Sequence, residues 1–118
     1  MVIMILSNDI SVVVQGVIEP KKTQALLKSI RKYYPKSEII VSTWKDSNLH
    51  GLGGYDKLIL NDDPGWEYYD TNYSKKYNIN RMLFSSQTGI AAASRKYVLK
   101  CRSDLILKNA KLCKYIKK

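Results

Sequence analysis

The sequence predicts an α/β fold: a Rossmann-like, mostly parallel sheet sandwiched by helices. Three observations carry that reading. Short apolar, β-branched runs recur along the chain, as strands buried on both faces require. Two stretches of helical periodicity separate them, in the order strand, helix, strand, strand, helix, strand, the alternation from which parallel sheets are built. The 118 residues suffice for one modest core and not for two. Residues 1–118 are therefore read as a single domain, with 108–118 as a basic terminal tail of five lysines around Leu112, Tyr115 and Ile116.

The run Ile10-Ser11-Val12-Val13-Val14-Gln15, ended by Gly16, predicts the first and most central strand. Pro20 suits the first turn of a helix, and Leu26, Leu27, Ile30 and Tyr34 recur at helical spacing until Pro35 stops it, so helix one is expected over 21–34. Strand two is expected over 38–43 and strand three over 56–61, with 49–55 a loop because Gly51, Gly53 and Gly54 discourage regular structure. From 62 to 77 the chain changes character, with Pro64-Gly65 and five large aromatic side chains, Trp66, Tyr68, Tyr69, Tyr73 and Tyr77. It reads as a loop with stacking potential. Asn78 is a plausible N-cap for helix two, expected to run to about Arg95 with Ile79, Met82, Leu83, Ser86 and Ile90 on its buried face. Gly89 and the alanines 91–93 point to close packing on the sheet.

The last strand, Tyr97-Val98-Leu99-Lys100-Cys101-Arg102-Ser103-Asp104-Leu105, delivers a cation and a carboxylate to its carboxyl end. Ligands of open α/β sheets bind beyond the carboxyl ends of the strands, so Arg102 and Asp104 stand where phosphate and metal would sit. Alternation puts both on one side of the strand and Ser103 on the other. An Arg-Asp ion pair closing a strand explains the same residues equally well. The order of elements places Gln15, Thr43, Asn61 and Asp104 at one edge of the sheet.

Twenty Lys+Arg against ten Asp+Glu give a formal net charge of +10. That favours anionic partners: nucleotide phosphates, nucleic acid or an anionic membrane surface. Cys101 and Cys113 are too few for a zinc site and read as reduced thiols of a cytoplasmic chain, for which the positive charge leaves a membrane-peripheral place open. Residues 1–6 are apolar but much shorter than a membrane span, and they lack the basic start and cleavage site of a secretory signal. A phosphorelay receiver is excluded by position, since its acidic pair follows strand one and Asn8-Asp9 precede it. A small basic nucleic-acid-binding protein is the alternative. Lys75-Lys76, Arg95-Lys96 and the tail could contact phosphates while Tyr68, Tyr69 and Tyr73 stack on bases, but no binding motif accompanies them.

The succession Ile10 to Gly16, Ser29-Ile30-Arg31-Lys32-Tyr33-Tyr34-Pro35, Glu38 to Trp44, Tyr55 to Leu60, Asp63-Pro64-Gly65, Asn78-Ile79-Asn80-Arg81 and Lys96 to Leu107 resembles the WavE lipopolysaccharide synthesis family over nearly the whole chain. More broadly it is similar to the nucleotide-sugar-binding half of GT-A glycosyltransferases, which hold a metal-bound nucleotide sugar with an Asp-x-Asp type motif. The resemblance implies a portion of a glycosyltransferase of lipopolysaccharide or other surface polysaccharide synthesis. Its implied cofactor is a divalent metal, magnesium or manganese.

By that resemblance Gln15 and Gly16 border the base and ribose, their other reading being a strand-ending turn. Ser42, Thr43 and Trp44 lie on the same rim, where the Trp44 indole either stacks on a ligand or caps the core. Asn80 and Arg81 fall in the first turn of helix two, where free amides and a guanidinium suit a diphosphate. Asp104 matches the last acidic position of the motif and is the implied metal ligand. Arg102 stands at the first acidic position, a departure that leaves one carboxylate and a cation able to neutralise phosphate directly. A base to deprotonate the acceptor normally comes from the segment after that strand, and only fourteen positions follow Asp104. The chain is accordingly read as an amino-terminal portion, catalytically incomplete alone and completed by a missing carboxy-terminal half or by an oligomer.

Overall fold

The structure, a computed structural model, describes residues 5–64, 67–68, 76–77 and 79–109. Strands β1 (Ile10–Gln15), β2 (Glu38–Trp44) and β3 (Lys57–Asn61) surround helix α1 (Pro20–Tyr33) in sequence. Two short strands follow, β4 (Glu67–Tyr68) and β5 (Lys76–Tyr77), then helix α2 (Ile79–Ala91) and strand β6 (Tyr97–Arg102). A single 3-10 turn, Ser7–Asp9, leads into β1.

The main sheet has the order β3-β2-β1-β6 and is parallel throughout. Its register sets Val12 opposite both Ile39 and Leu99, and Gln15 opposite both Ser42 and Arg102. Because all four strands run the same way, Gln15, Thr43, Asn61 and the residues after Arg102 share one edge, as the element order predicts. A Rossmann-like α/β sheet flanked by two helices is therefore the fold.

On one face β1 and β2 turn Val12, Val14, Ile39 and Val41 toward Leu26, Leu27 and Ile30 of α1, all of them almost fully buried. Each such side chain contributes about 1.5–3 kcal/mol when removed from water. Pro20 opens α1, where its missing N–H is no loss, and the helix closes as the Tyr34 N–H donates to the Ile30 carbonyl. On this face β6 contributes Leu99 and Cys101, and burial pushes the Cys101 thiol up to about 11.

The other face has a different character. Beneath α2 the sheet presents Ser11, Val13, Gln15 and Ser42, and the helix answers with Ser85, Thr88 and Gly89 rather than with its large apolar side chains. Ser85 and Ser86 are buried, whereas Met82, Leu83, Phe84 and Ile90 are exposed. The expected buried face of helix two is thus corrected for Met82, Leu83 and Ile90 and holds for Ser86; the Ile79 side chain lies outside the described residues. The reason is steric. A Cβ on Gly89 would overlap Val13 Cγ1 and stand 3.2 Å from Ser42 Cβ, so the helix lies too close to the sheet for large side chains to fit between. Ser42 Oγ meets Thr88 Oγ1 at 2.9 Å across the contact, replacing apolar burial with a hydrogen bond.

Helix two also ends at Ala91, four residues before the expected Arg95. Glu38 draws the chain off: its carboxylate accepts from the Ser94 amide at 2.9 Å and the Ser94 hydroxyl at 2.7 Å. It further accepts from Ser11 Oγ at 2.8 Å and pairs with Lys57 at 3.2 Å. In the stretch 62–77, expected as a loop, β4 and β5 form an antiparallel pair. Trp66, Tyr69, Tyr73, Asn78, Cys113 and the lysine-rich stretch 110–118 lie outside the described residues.

Two outcomes follow from these contacts. Gly89→Ala raises intrinsic helix propensity yet should destabilise the fold by about 1–3 kcal/mol in denaturant titration, because the added methyl overpacks against Val13. Glu38 supplies the second. Burial alone would raise its carboxyl, but the Ser94, Ser11 and Lys57 donors outweigh this and lower it from 4.5 to about 2. A depressed folded value stabilises the protein above the unfolded value and is lost as pH falls from about 4.5 toward 2. The melting temperature of the wild type should exceed that of Glu38→Gln at about pH 6, with the gap closing as the pH approaches 2. A gap that does not vary with pH would contradict the assignment.

Candidate functional site

The chain passes from β1 through α1 to β2 and β3 on one side, then returns through α2 to β6 on the other side of β1. The strand order therefore reverses between β1 and β6. In open parallel sheets such a reversal parts the connecting segments and leaves a crevice beyond the strand ends. A cavity of about 460 Å³ lies there, within the range of small-molecule sites. Its floor is Gln15, Gly16 and Val17 from the end of β1 beside Arg102, Ser103 and Asp104 from β6. Trp44 closes the β2 side, Arg81, Met82 and Ser85 descend from the first turns of α2, and Glu19 reaches in from the start of α1.

The floor is held by hydrogen bonds that join the two strand ends. The Ser103 amide donates to the Gln15 carbonyl at 2.9 Å, and the Ser103 hydroxyl donates to the Val17 carbonyl. Thr23 Oγ1 donates to the Ser103 carbonyl at 3.0 Å and accepts from the Glu19 amide at 3.1 Å, tying the loop before α1 into the same knot. Gly16 lies between these contacts with φ +119°, a conformation that favours glycine, and a Cβ there would stand 3.0 Å from Ser103 Oγ.

The charged groups are paired. Arg102 Nη2 reaches Asp104 Oδ2 at 2.8 Å, so the two share a side as alternation predicts and form an ion pair. Arg81 grips Asp63 through Nε and Nη2, each at 2.7 Å, a bidentate contact that fixes the plane of the guanidinium at the cavity wall. Lys45 pairs with Asp62 at 2.9 Å just outside.

Of the residues singled out from the sequence, Gln15, Gly16, Trp44, Arg81, Arg102 and Asp104 are brought together around this one cavity. Trp44 is nevertheless almost wholly buried, so it both closes the core and lends the cavity an edge. Thr43 is not on the lining. It is fully buried beneath it, donating through Oγ1 to the Gly16 carbonyl at 2.8 Å and meeting Ser47 Oγ at 2.8 Å. Asn80 is exposed in the first turn of α2 and lies away from the lining. Sequence reasoning missed Glu19, Val17, Met82, Ser85 and Ser103. For Ser85 a signal existed, four residues after Arg81 on the same helical stripe.

The carboxylates on the cavity are Asp104 and Glu19, and the described residues gather no cluster of three or more His, Cys, Asp or Glu. That donor set suits a hard cation carried in by phosphate oxygens, not one caged by protein alone. Among the described residues no helix is long and apolar enough to cross a membrane.

An open, doubly wound α/β domain with a ligand-sized cavity at its switch point is the class that fold and site define. Within that class, the sequence model of the WavE lipopolysaccharide synthesis family matches residues 10–118, and the chain belongs to that family. Membership connects it with lipopolysaccharide synthesis. No curated protein and no solved structure matches it.

Gly16→Ala tests the floor. The methyl must adopt a strained φ and push on Ser103, so a loss of about 1–3 kcal/mol is expected in chemical denaturation. Ser103→Ala in the same background should recover part of that loss, because it removes the atom that the new methyl meets.

Proposed function

We propose that the cavity binds the nucleoside diphosphate of a nucleotide sugar, as the donor-binding portion of a GT-A-type glycosyltransferase acting in lipopolysaccharide or related surface polysaccharide synthesis. The observation that carries this reading is the position of two guanidiniums, Arg81 and Arg102, on a cavity at the sheet's switch point. Guanidinium forks match phosphate oxygens in geometry as well as charge. Transfer from such a donor breaks the bond between the anomeric carbon and the diphosphate, so cations at the departing diphosphate stabilise charge where it develops. Gln15 and Gly16 then border the nucleoside, with the Trp44 edge beside them.

A magnesium or manganese ion would neutralise the diphosphate when bound, held by Asp104 together with phosphate oxygens. In that state Arg102, now paired to Asp104, turns to phosphate, and the ion pair holds both side chains on the cavity until a ligand arrives. The net charge of +10 favours a second reading, non-specific binding of nucleic acid.

Calorimetric titration with the four common ribonucleoside diphosphates and their glucose conjugates separates the two. Saturable binding selective for some of these ligands supports the donor reading. Binding only to single-stranded RNA, with affinity falling steeply with salt, would replace it. Arg81→Ala should weaken diphosphate binding by about 1.5–3 kcal/mol while leaving the nucleoside nearly unaffected. Added manganese should raise diphosphate affinity, and Asp104→Asn should abolish that rise.

A further inference from the structure

Gln15 is about 96% buried, at the end of the central strand, and still forms part of the cavity floor. A buried amide with an unmet end is costly, so each of its two ends calls for a partner. One end is supplied by the protein: Ser85 Oγ, fully buried on α2, donates to Gln15 Oε1 at 3.0 Å. The other end, Nε2, has no protein partner among the described residues and is not sealed in the core but opens on the cavity. The amide is therefore oriented from behind by the helix, with its N–H groups left to the cavity.

Ser85 does more than fill space. Its single proton is shared between Gln15 Oε1 and the Arg81 carbonyl, 2.9 Å away one helical turn back, which places the amide beside the turn that carries the Arg81 guanidinium. Ser85 can come this close only because α2 sits down on the sheet at Gly89. The floor thus divides the cavity by chemistry. Arg81 and Arg102 offer charge, while Gln15 offers a neutral donor deep at the strand end.

We propose that the Gln15 side-chain amide reads an uncharged oxygen acceptor of the bound ligand, a carbonyl or hydroxyl and not a phosphate, and that Ser85 is its positioning residue. The inference rests on the donor-binding reading and deepens it by naming a determinant of ligand selection. A site built to hydrogen-bond one group rejects ligands that lack it, because the buried donor is then left unpaired. Selection for the neutral part of the ligand accordingly resides at Gln15, and attraction to its phosphates at the arginines.

The test is calorimetry with three kinds of probe: inorganic pyrophosphate, the four ribonucleoside diphosphates, and their glucose conjugates. Gln15→Met keeps the length of the side chain and removes the amide. It should weaken the best-binding nucleotide about fivefold, the scale of one neutral hydrogen bond, and leave pyrophosphate within about twofold of wild type. Ser85→Ala should shift the same ratio in the same direction, which a merely structural serine would not do. Ser85→Cys, of similar volume with a weak donor, should fall between, and melting curves establish that each variant is folded. A loss already present with the diphosphates assigns the acceptor to the nucleoside. One seen only with the glucose conjugates assigns it to a sugar hydroxyl.

Undiminished nucleotide affinity in folded Gln15→Met overturns the proposal while the donor reading stands. Equal losses for pyrophosphate and nucleotide overturn it too, since the amide would then act through the whole site. If Gln15→Met does not fold, Ser85→Ala decides by the same ratio. Wild-type protein that binds pyrophosphate or RNA but none of the nucleotides overturns the donor reading, and the proposal falls with it.

Discussion

The contact on which the rest of the structure depends is the descent of α2 onto the sheet at Gly89. A helix that packs through glycine and serine lies nearer to the strands than one that packs through leucine, and here no side chain separates Gly89 from Val13. That nearness sets the height of the whole helix. It brings Ser85 within hydrogen-bond reach of Gln15 and Thr88 within reach of Ser42, and it suspends the first turn, with Arg81, over the strand ends. A thicker interface would move the helix start away from β1 and open the cavity on one side.

Close packing of this kind exchanges apolar area for hydrogen bonds, and the sheet face beneath α2 is composed accordingly. Asn61 donates to Ser42 Oγ and to the Thr43 carbonyl, so the ends of β3 and β2 are joined through a side chain as well as through the ladder. At the opposite end of the strands Glu38 gathers Ser11, Ser94 and Lys57. A buried carboxylate is tolerable only when its donors are in place, and losing one of them exposes the full cost of desolvation. The two faces of one sheet are thus stabilised by different means, apolar burial under α1 and hydrogen-bonded polar contacts such as Ser85–Gln15 and Ser42–Thr88 under α2.

The same asymmetry explains what could be read from the sequence. β1, β2, β3, α1 and the parallel order were legible because short apolar, β-branched runs mark strands buried on both faces and α1 carries its apolar residues at helical spacing. The extent of α2 was legible only in part. Its apolar residues Met82, Leu83 and Ile90 follow a helical stripe that does not pack; the side that does is the one the sequence marked with Gly89, which lies against Val13, whereas Ala91, marked with it, is exposed. Its early end depends on Glu38, fifty-six residues away in sequence, which no local signal reveals. Six of the expected site residues converge because topology alone delivers strand ends to one edge. Thr43 and Asn80 differ from them in detail: each is at the right end of its element, but which way a side chain turns depends on neighbours from other elements.

The ion pairs around the cavity bear on how two guanidiniums can share one crevice and still be ordered. A pair of bare guanidiniums on one crevice would repel each other and sample many rotamers, and ordering them at binding would cost side-chain entropy. Asp63 holds Arg81 in a bidentate grip, and Asp104 holds Arg102 through a single contact on the exposed rim. The bidentate pair fixes a plane, whereas the single contact, with the Arg102 side chain about two-thirds exposed, is weak and easily exchanged. Arg81 is therefore the preorganised cation of the wall. Arg102 is the adaptable one: its single contact with Asp104 lies on the exposed rim and can be exchanged at little cost.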